Sequence, residues 1–230
     1  MLEKTVIVTG ANGNLGQAVV KKFSDKSYHV IGTVRHKQQS NQTNEKNAEE
    51  AELDLLQEED CRKFVEEVIA KNNQIDVAVL TAGGFTMDDI ANTTTSDIYK
   101  QYQLNFETAY NIARPVFIEM MKQNSGRIFV IGSRAGLDSK NGKGVVAYSL
   151  SKSLIFRLAE LMNAEAKGKN VVVSVIVPGT IDTPPNRKSM PDADFSAWVL
   201  PSEIAEVIYF YSGDEAGSLR EPVIKVYNRS

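Results

Sequence analysis

Tyr148 and Lys152 stand four residues apart in AYSLSK, inside the longer run VVAYSLSKSLIFRLAELMNAEAKG. A helix over this run sends both side chains out on the same face near its start. The pair has chemical value. A phenol with an ordinary pKa of about 10 is a poor proton shuttle at neutrality, and a nearby ammonium favours the phenolate; a shift of about three units needs roughly 4 kcal/mol of differential interaction. By itself this spacing is common helix decoration, so the surroundings decide its weight. Upstream, RIFVIGSRAG reads as a buried strand that ends at Ser133. A hydroxyl there would orient a substrate oxygen while Tyr148 protonates it, although a serine at a strand end also forms turns. Asn105 lies within the long helical segment DIYKQYQLNFETAYNIARPVFIEMMKQ. An asparagine competes with the backbone for hydrogen bonds in a helix interior, so it is expected either to hold a water in a proton relay or to satisfy a buried helix carbonyl.

The second constellation is TGANGNLG, residues 9–16, directly after the strand-like TVIVT and opening the helical NLGQAVVKKFSDK. Gly10, Gly13 and Gly16 let the chain turn tightly and approach a pyrophosphate, whose charge is favoured by the free amides and dipole at the helix start. A tight strand-to-helix turn explains glycines alone, but the strand, the helix and the first-βα position together favour a dinucleotide. The second strand, HVIGTV, is followed by Arg35, His36 and Lys37, with no acidic residue to hold ribose hydroxyls. A guanidinium grips a phosphate bidentately, which favours NADPH over NADH unless this is only a wet basic loop. Asp54, in ELDLLQ after the third strand, reads as a helix N-cap with Gln57 in the capping-box position. Its other role would be a hydrogen bond to the adenine amine.

Short β-branched runs alternate with amphipathic segments along the whole chain, from TVIVT through IDVAVLT, RIFVIGS and VVVSVIVPG to PVIKVYN. The strands are continuous apolar runs, as expected where helices cover both faces of a parallel sheet. The pattern predicts a doubly wound, Rossmann-type α/β fold with a mostly parallel sheet of about seven strands, in one domain spanning residues 1–230. Two stretches break the rhythm. Residues 36–52 are polar and read as a solvated connection or weak surface helix. Residues 180–200, with Met190, Phe195 and Trp198 among prolines and charges, read as a lid whose aromatic residues either wall a substrate or pack the lid on the body.

Composition narrows the function classes. A formal net charge of -3 without a long basic stretch gives no reason to expect nucleic acid or an anionic membrane as partner, so a small molecule is expected. The single cysteine, Cys61, allows no internal disulfide and no thiolate metal cluster, and no metal site is expected. With neither a secretory signal nor an apolar span long enough for a bilayer, a cytoplasmic location is expected.

Together these residues resemble the short-chain dehydrogenase/reductase family along nearly the whole chain. The resemblance implies that Gly10, Asn12, Gly13, Asn14, Leu15 and Gly16 hold the cofactor, with Ala82, Gly83 and Gly84 of LTAGG beside it. It assigns Asp54 to the adenine, and Pro178, Gly179, Ile181 and Thr183 of PGTIDTP to the nicotinamide side. Asn105, Ser133, Tyr148 and Lys152 would carry catalysis, the last two also touching the cofactor. Three departures stand out: Asn14 occupies a usual glycine position, LTAGG lacks both asparagines of the family's NNAG, and the connection from Ser133 to Tyr148 is longer than usual. Within the family, AGG and DTPPNRKSMPDADFSAW look like dihydropteridine reductases and their bacterial relatives. Those reductases lack the serine and asparagine and carry an acidic residue near the end of the second strand.

The expectation is therefore an oxidoreductase that transfers a hydride from NAD(P)H to a small carbonyl or quinonoid pterin, with dihydropteridine reductase proper as one alternative. A non-catalytic NADP(H) sensor is the alternative from another class; it needs the glycine turn but gains little from Tyr148 and Lys152. The family implies a homodimer or homotetramer through the helices that carry Asn105 and Lys152, with apolar residues on several faces of 155–162 as a hint.

Overall fold

The strand-like runs do what their continuous apolar character requires, which is to bury both faces. The structure, a computed structural model, describes residues 4–36 and 45–229. Strands β1 (Thr5–Thr9), β2 (His29–Val34), β3 (Ala48–Glu52), β4 (Val77–Leu80), β5 (Ser125–Ile131), β6 (Asn170–Pro178) and β7 (Val223–Val226) form one sheet in the order β3-β2-β1-β4-β5-β6-β7. Every pairing is parallel. Helices α1 (Asn14–Asp25), α2 (Glu58–Asn72), α3 (Thr95–Tyr102), α4 (Thr108–Gln123), α5 (Arg134–Leu137), α6 (Val146–Glu165), α7 (Pro184–Ser189) and α8 (Pro201–Ser212) make the connections.

Two cores result. On one face Val19 and Phe23 of α1 meet Ile204 and Ile208 of α8 over Val6, Val8 and Val79. On the other, Ile112 and Met120 of α4 and Ile155 of α6 pack over Ile7, Ala78 and Val173. Strand order reverses between β1 and β4, which opens a crevice at the carboxyl edge of the sheet. The glycine turn follows β1, residues 81–84 follow β4 and Ser133 follows β5, so the topology gathers all three at that edge.

Three expectations need correction. The polar stretch 36–52 is not only a connection, because its last five residues are β3, paired with β2 alone; 37–44, including Lys37, lie outside the described residues. An edge strand tolerates charges that a central strand cannot, and Glu49 uses its position to take Lys71 at 2.9 Å and His29 at 3.2 Å. Asp54 does not cap a helix. Its Oδ1 accepts the Leu56 amide at 3.1 Å and its carbonyl accepts the Gln57 amide at 3.0 Å, an Asx turn that delays α2, with Gln57 as the extended residue before it. The long helix around Asn105 is also not uniform. Between α3 and α4 the residues Gln103–Glu107 form a π-helical turn, a distortion found often at functional sites.

Candidate active site

The glycine turn has the geometry its residues require. Gly10 takes φ +65°, and its carbonyl accepts the Gly13 amide at 2.9 Å. A Cβ on Gly16 would lie 2.1 Å from the Gly10 oxygen, inside any tolerable contact. Gly13 precedes α1 in extended conformation with no side chain capping the helix amides, which leaves the helix start able to take an anion. We expect Gly16→Ala to force this turn open and weaken NADPH binding by more than about tenfold, since overpacking costs about 1–3 kcal/mol. Fluorescence titration checks the affinity, with an unchanged far-ultraviolet circular dichroism spectrum showing that the sheet survives.

Beside the turn lies a cavity of about 400 Å³. Of the expected cofactor residues, Gly10, Asn12, Gly13, Arg35, Asp54, Ala82 and Gly83 line it. Asn14 and Leu15 sit in the first turn of α1, and Gly16 is buried behind Gly10. Gly84 faces Leu104 and gives its amide to Asn105 Oδ1 at 3.0 Å. Residues that the sequence did not single out complete the cavity wall, among them Thr33, Leu53, Leu55, Thr81, Leu104 and Thr108. A signal existed for two of them, since Thr33 is the last residue but one of β2 and Thr81 follows β4 at the same carboxyl edge.

The remaining groups lie further along that edge. Tyr148 and Lys152 project from one face of α6, and the Lys152 ammonium is 6.0 Å from the centre of the Tyr148 ring. Lys152 is buried and donates to the Ile131 carbonyl at 2.8 Å; burial brings its pKa down to about 8. Burial pushes the Tyr148 phenol up, against a smaller downward pull from a hydrogen bond with Ser133. Ser133 thus bonds the phenol directly, while the Lys152 ammonium is held by the Ile131 carbonyl within 6.0 Å of the Tyr148 ring centre. Ser133 also accepts the Gly136 amide at 3.0 Å as the cap of α5, so its turn-forming and phenol-facing roles coexist. The longer connection to Tyr148 is taken up by α5 and a 3₁₀ turn, Ser139–Asn141, without carrying Ser133 away.

Asn105 holds protein groups and not a helix carbonyl. The π-helical turn buries its side chain, whose oxygen accepts Gly84 N and whose nitrogen donates to Gln101 Oε1 at 2.9 Å and Ser151 Oγ at 3.2 Å. Ser151 in turn donates to the Tyr148 carbonyl at 2.8 Å. Asn105 thus ties the loop after β4 to α6.

On the nicotinamide side expected from the sequence, the Gly179 amide bonds to the Val226 carbonyl at 2.8 Å and Thr183 caps α7. Pro178 closes β6, and Ile181 bridges Val199, which pins together the two ends of 180–200. Trp198 is buried and meets Phe195 at 4.8 Å between ring centres, while Met190 is exposed. Arg187 lies 4.6 Å over Phe195 and holds Asp182 at 2.5 Å and 2.7 Å, so the segment is braced by its own side chains.

A doubly wound parallel sheet with a glycine turn at its switch point and a Tyr–Lys pair on a neighbouring helix has the parts of a dinucleotide-dependent oxidoreductase. A family model described as short chain dehydrogenase matches residues 4–194, and the chain belongs to that family. It is an enzyme, an NAD(P)-dependent oxidoreductase. The chain is 31% identical over 191 residues to the acetoacetyl-CoA reductase of an Acinetobacter species, covering 79% of this chain and 76% of that one. It is 28% identical over 218 residues to the dihydropteridine reductase of Dictyostelium discoideum, covering 92% and 88%. The fold superposes on the structure titled "ElxO with NADP Bound" with a TM-score of 0.89 at 23% identity over 97% of both chains. Among the described residues no helix is long and apolar enough to cross a membrane, and no group of metal-ligating side chains is assembled.

Proposed function

We propose that this protein is an NADPH-preferring reductase of small carbonyl compounds or quinonoid pterins, with Tyr148 as the proton donor. The observation that carries the reading is the Tyr148 phenol, kept protonated by burial and bonded to Ser133, one helical turn from Lys152. A donor must hold its proton until the acceptor arrives, and a half-buried phenol whose pKa is pushed up does.

The glycine turn and adjoining cavity fit a dinucleotide, since the turn closes on Gly16 too tightly for any Cβ and the helix amides beside the cavity lack a side-chain cap. Gly10, Asn12 and Gly13 would face its pyrophosphate. Asp54 keeps a second carboxylate oxygen for the adenine amine after its Asx turn. A bound dihydronicotinamide supplies the hydride. Ser133 orients the acceptor oxygen, Tyr148 donates its proton to that oxygen, and Lys152 stabilises the phenolate that remains while its ammonium holds the nicotinamide ribose. Asn105 is a positioning residue, fixing Gly84 and the Tyr148 turn of α6. Pro178, Gly179, Ile181 and Thr183 would flank the nicotinamide, with 180–200 folding over the substrate.

Arg35 supports the phosphate preference: it stands on the cavity wall at the end of β2, where His36 and not a carboxylate follows. Arg35→Ala should raise the Kd for NADPH about tenfold and leave NADH nearly unchanged, because a bidentate phosphate contact is worth about 1.5–3 kcal/mol. Equal losses for both nucleotides in titration would instead make Arg35 a general contact. The helices α4 and α6 would join copies into a homodimer or homotetramer.

Dihydropteridine reductase proper is the second reading, favoured by the similarity to the Dictyostelium enzyme across 92% of this chain. Steady-state NADPH oxidation separates them. Turnover of quinonoid dihydropterin assigns the pterin role, turnover confined to ketones and diones assigns the general one, and no oxidation with any acceptor refutes both.

A further inference from the structure

Phe85 is out of place for a side chain of its kind. It follows Gly84 after β4 and is 61% exposed, yet its ring meets that of Tyr148 with centres 4.9 Å apart and planes at 79°. Among the described residues this is its only ring contact. The backbone beneath it is fixed at both ends. Gly84 is held by Asn105 Oδ1 at 3.0 Å, and the Asp88 carbonyl accepts the Val146 amide at 3.1 Å where Asp88 bridges Val145. A short strap therefore runs from the neighbourhood of Asn105 to the start of α6, and it places Phe85 against the phenol. Met87 on the same strap is 70% exposed. Apolar side chains left in water on a tethered backbone retain area that a ligand at Tyr148 can cover.

The geometry points to Phe85 as the residue that selects flat, ring-bearing acceptors over aliphatic ones. This rests on the reductase reading above and names the substrate class of the same site. The two rings are nearly perpendicular, so an acceptor stacked parallel to Phe85 stands steeply to the Tyr148 ring and turns its own edge toward the phenol. A ring carbonyl lies in the plane of its ring, at that edge, where Tyr148 and Ser133 would receive it. An aliphatic ketone presents the same oxygen but has no face to stack.

Phenanthrenequinone and diacetyl form a matched pair of probes, both vicinal dicarbonyls and only one a fused planar ring. Binding of each to the NADP⁺-loaded protein, measured by calorimetry, requires no turnover. In Phe85→Leu the affinity for phenanthrenequinone should fall about tenfold relative to that for diacetyl, and in Phe85→Tyr it should be kept, because a stacked aromatic pair adds about 0.5–1.5 kcal/mol beyond buried area. Unchanged quinone affinity in Phe85→Leu, or equal losses for both probes, overturns the inference. NADPH oxidation by the unaltered protein is measured alongside. Phe85-dependent quinone binding without any NADPH oxidation would sink the reductase reading and leave this inference standing.

Discussion

Replacing Tyr148 by Phe should lower kcat with any reducible carbonyl by about a thousandfold while leaving the Kd for NADPH within a factor of about two; a positioned general acid contributes about 10²–10⁴ in rate. The substitution removes one oxygen. The ring remains to meet Phe85, and the backbone carbonyl that accepts Ser151 is untouched, so packing and the approach to the cofactor cavity stay as they are. What disappears is the proton that the product oxygen needs and the group that Ser133 engages. Stopped-flow measurement of NADPH oxidation, paired with fluorescence titration of NADPH, reads the two quantities separately. A parallel loss of affinity and rate would show that the phenol binds cofactor more than it serves chemistry.

The second large effect is at Lys152. Lys152→Met keeps an unbranched stem in a buried place and removes the charge, so kcat should fall by about a hundredfold or more without a fall in Tm; removing an ammonium that burial disfavours relieves a desolvation cost. The pH profile gives the sign. Burial sets the Lys152 pKa at about 8, and in the proposed mechanism the protonated form is the one that stabilises the phenolate left after proton donation. Reduction should therefore be flat on the acid side of about 8 and decline by up to about tenfold per pH unit above it, as the ammonium is lost. In Lys152→Met that decline should vanish along with most of the rate. A profile that rises through this range would mean that neutral Lys152 is the working form.

Most of the sheet was legible because β1, β2, β4, β5 and β6 are largely buried on both faces and β7 is apolar save for the exposed Lys225, so all six leave apolar runs in the sequence. The exception is instructive. β3 reads AEEAE, and nothing in that string separates an edge strand from a solvated connection, because partners from elsewhere meet its charges, Lys71 of α2 and His29 of β2 at Glu49 and His36 at Glu52. The catalytic face was legible for a related reason: Tyr148 and Lys152 share a helix, so local spacing fixes their common direction. Asn105 was not. Its environment is set by a π-helical turn and by Gly84, Gln101 and Ser151, whose meeting depends on how α3 and α6 pack across the loop after β4. Asp54 failed locally, since an Asx turn and a helix cap use the same side-chain oxygen and differ only in where the helix begins. The stacking face of Phe85 left no trace in the sequence, because LTAGGFTM gives no sign that the aromatic ring remains in water beside the phenol.

The central claim, hydride delivery to a carbonyl acceptor with the proton drawn from Tyr148, is tested most directly with NADPH deuterated at nicotinamide C4. The protein is offered this cofactor with diacetyl, and the hydroxyketone product is examined by mass spectrometry. Deuterium on the carbinol carbon of the product, formed by the unaltered protein and nearly absent with Tyr148→Phe, is the predicted result. NADPH that binds tightly but stays reduced with diacetyl, with other ketones and with quinonoid dihydropterin would contradict the account.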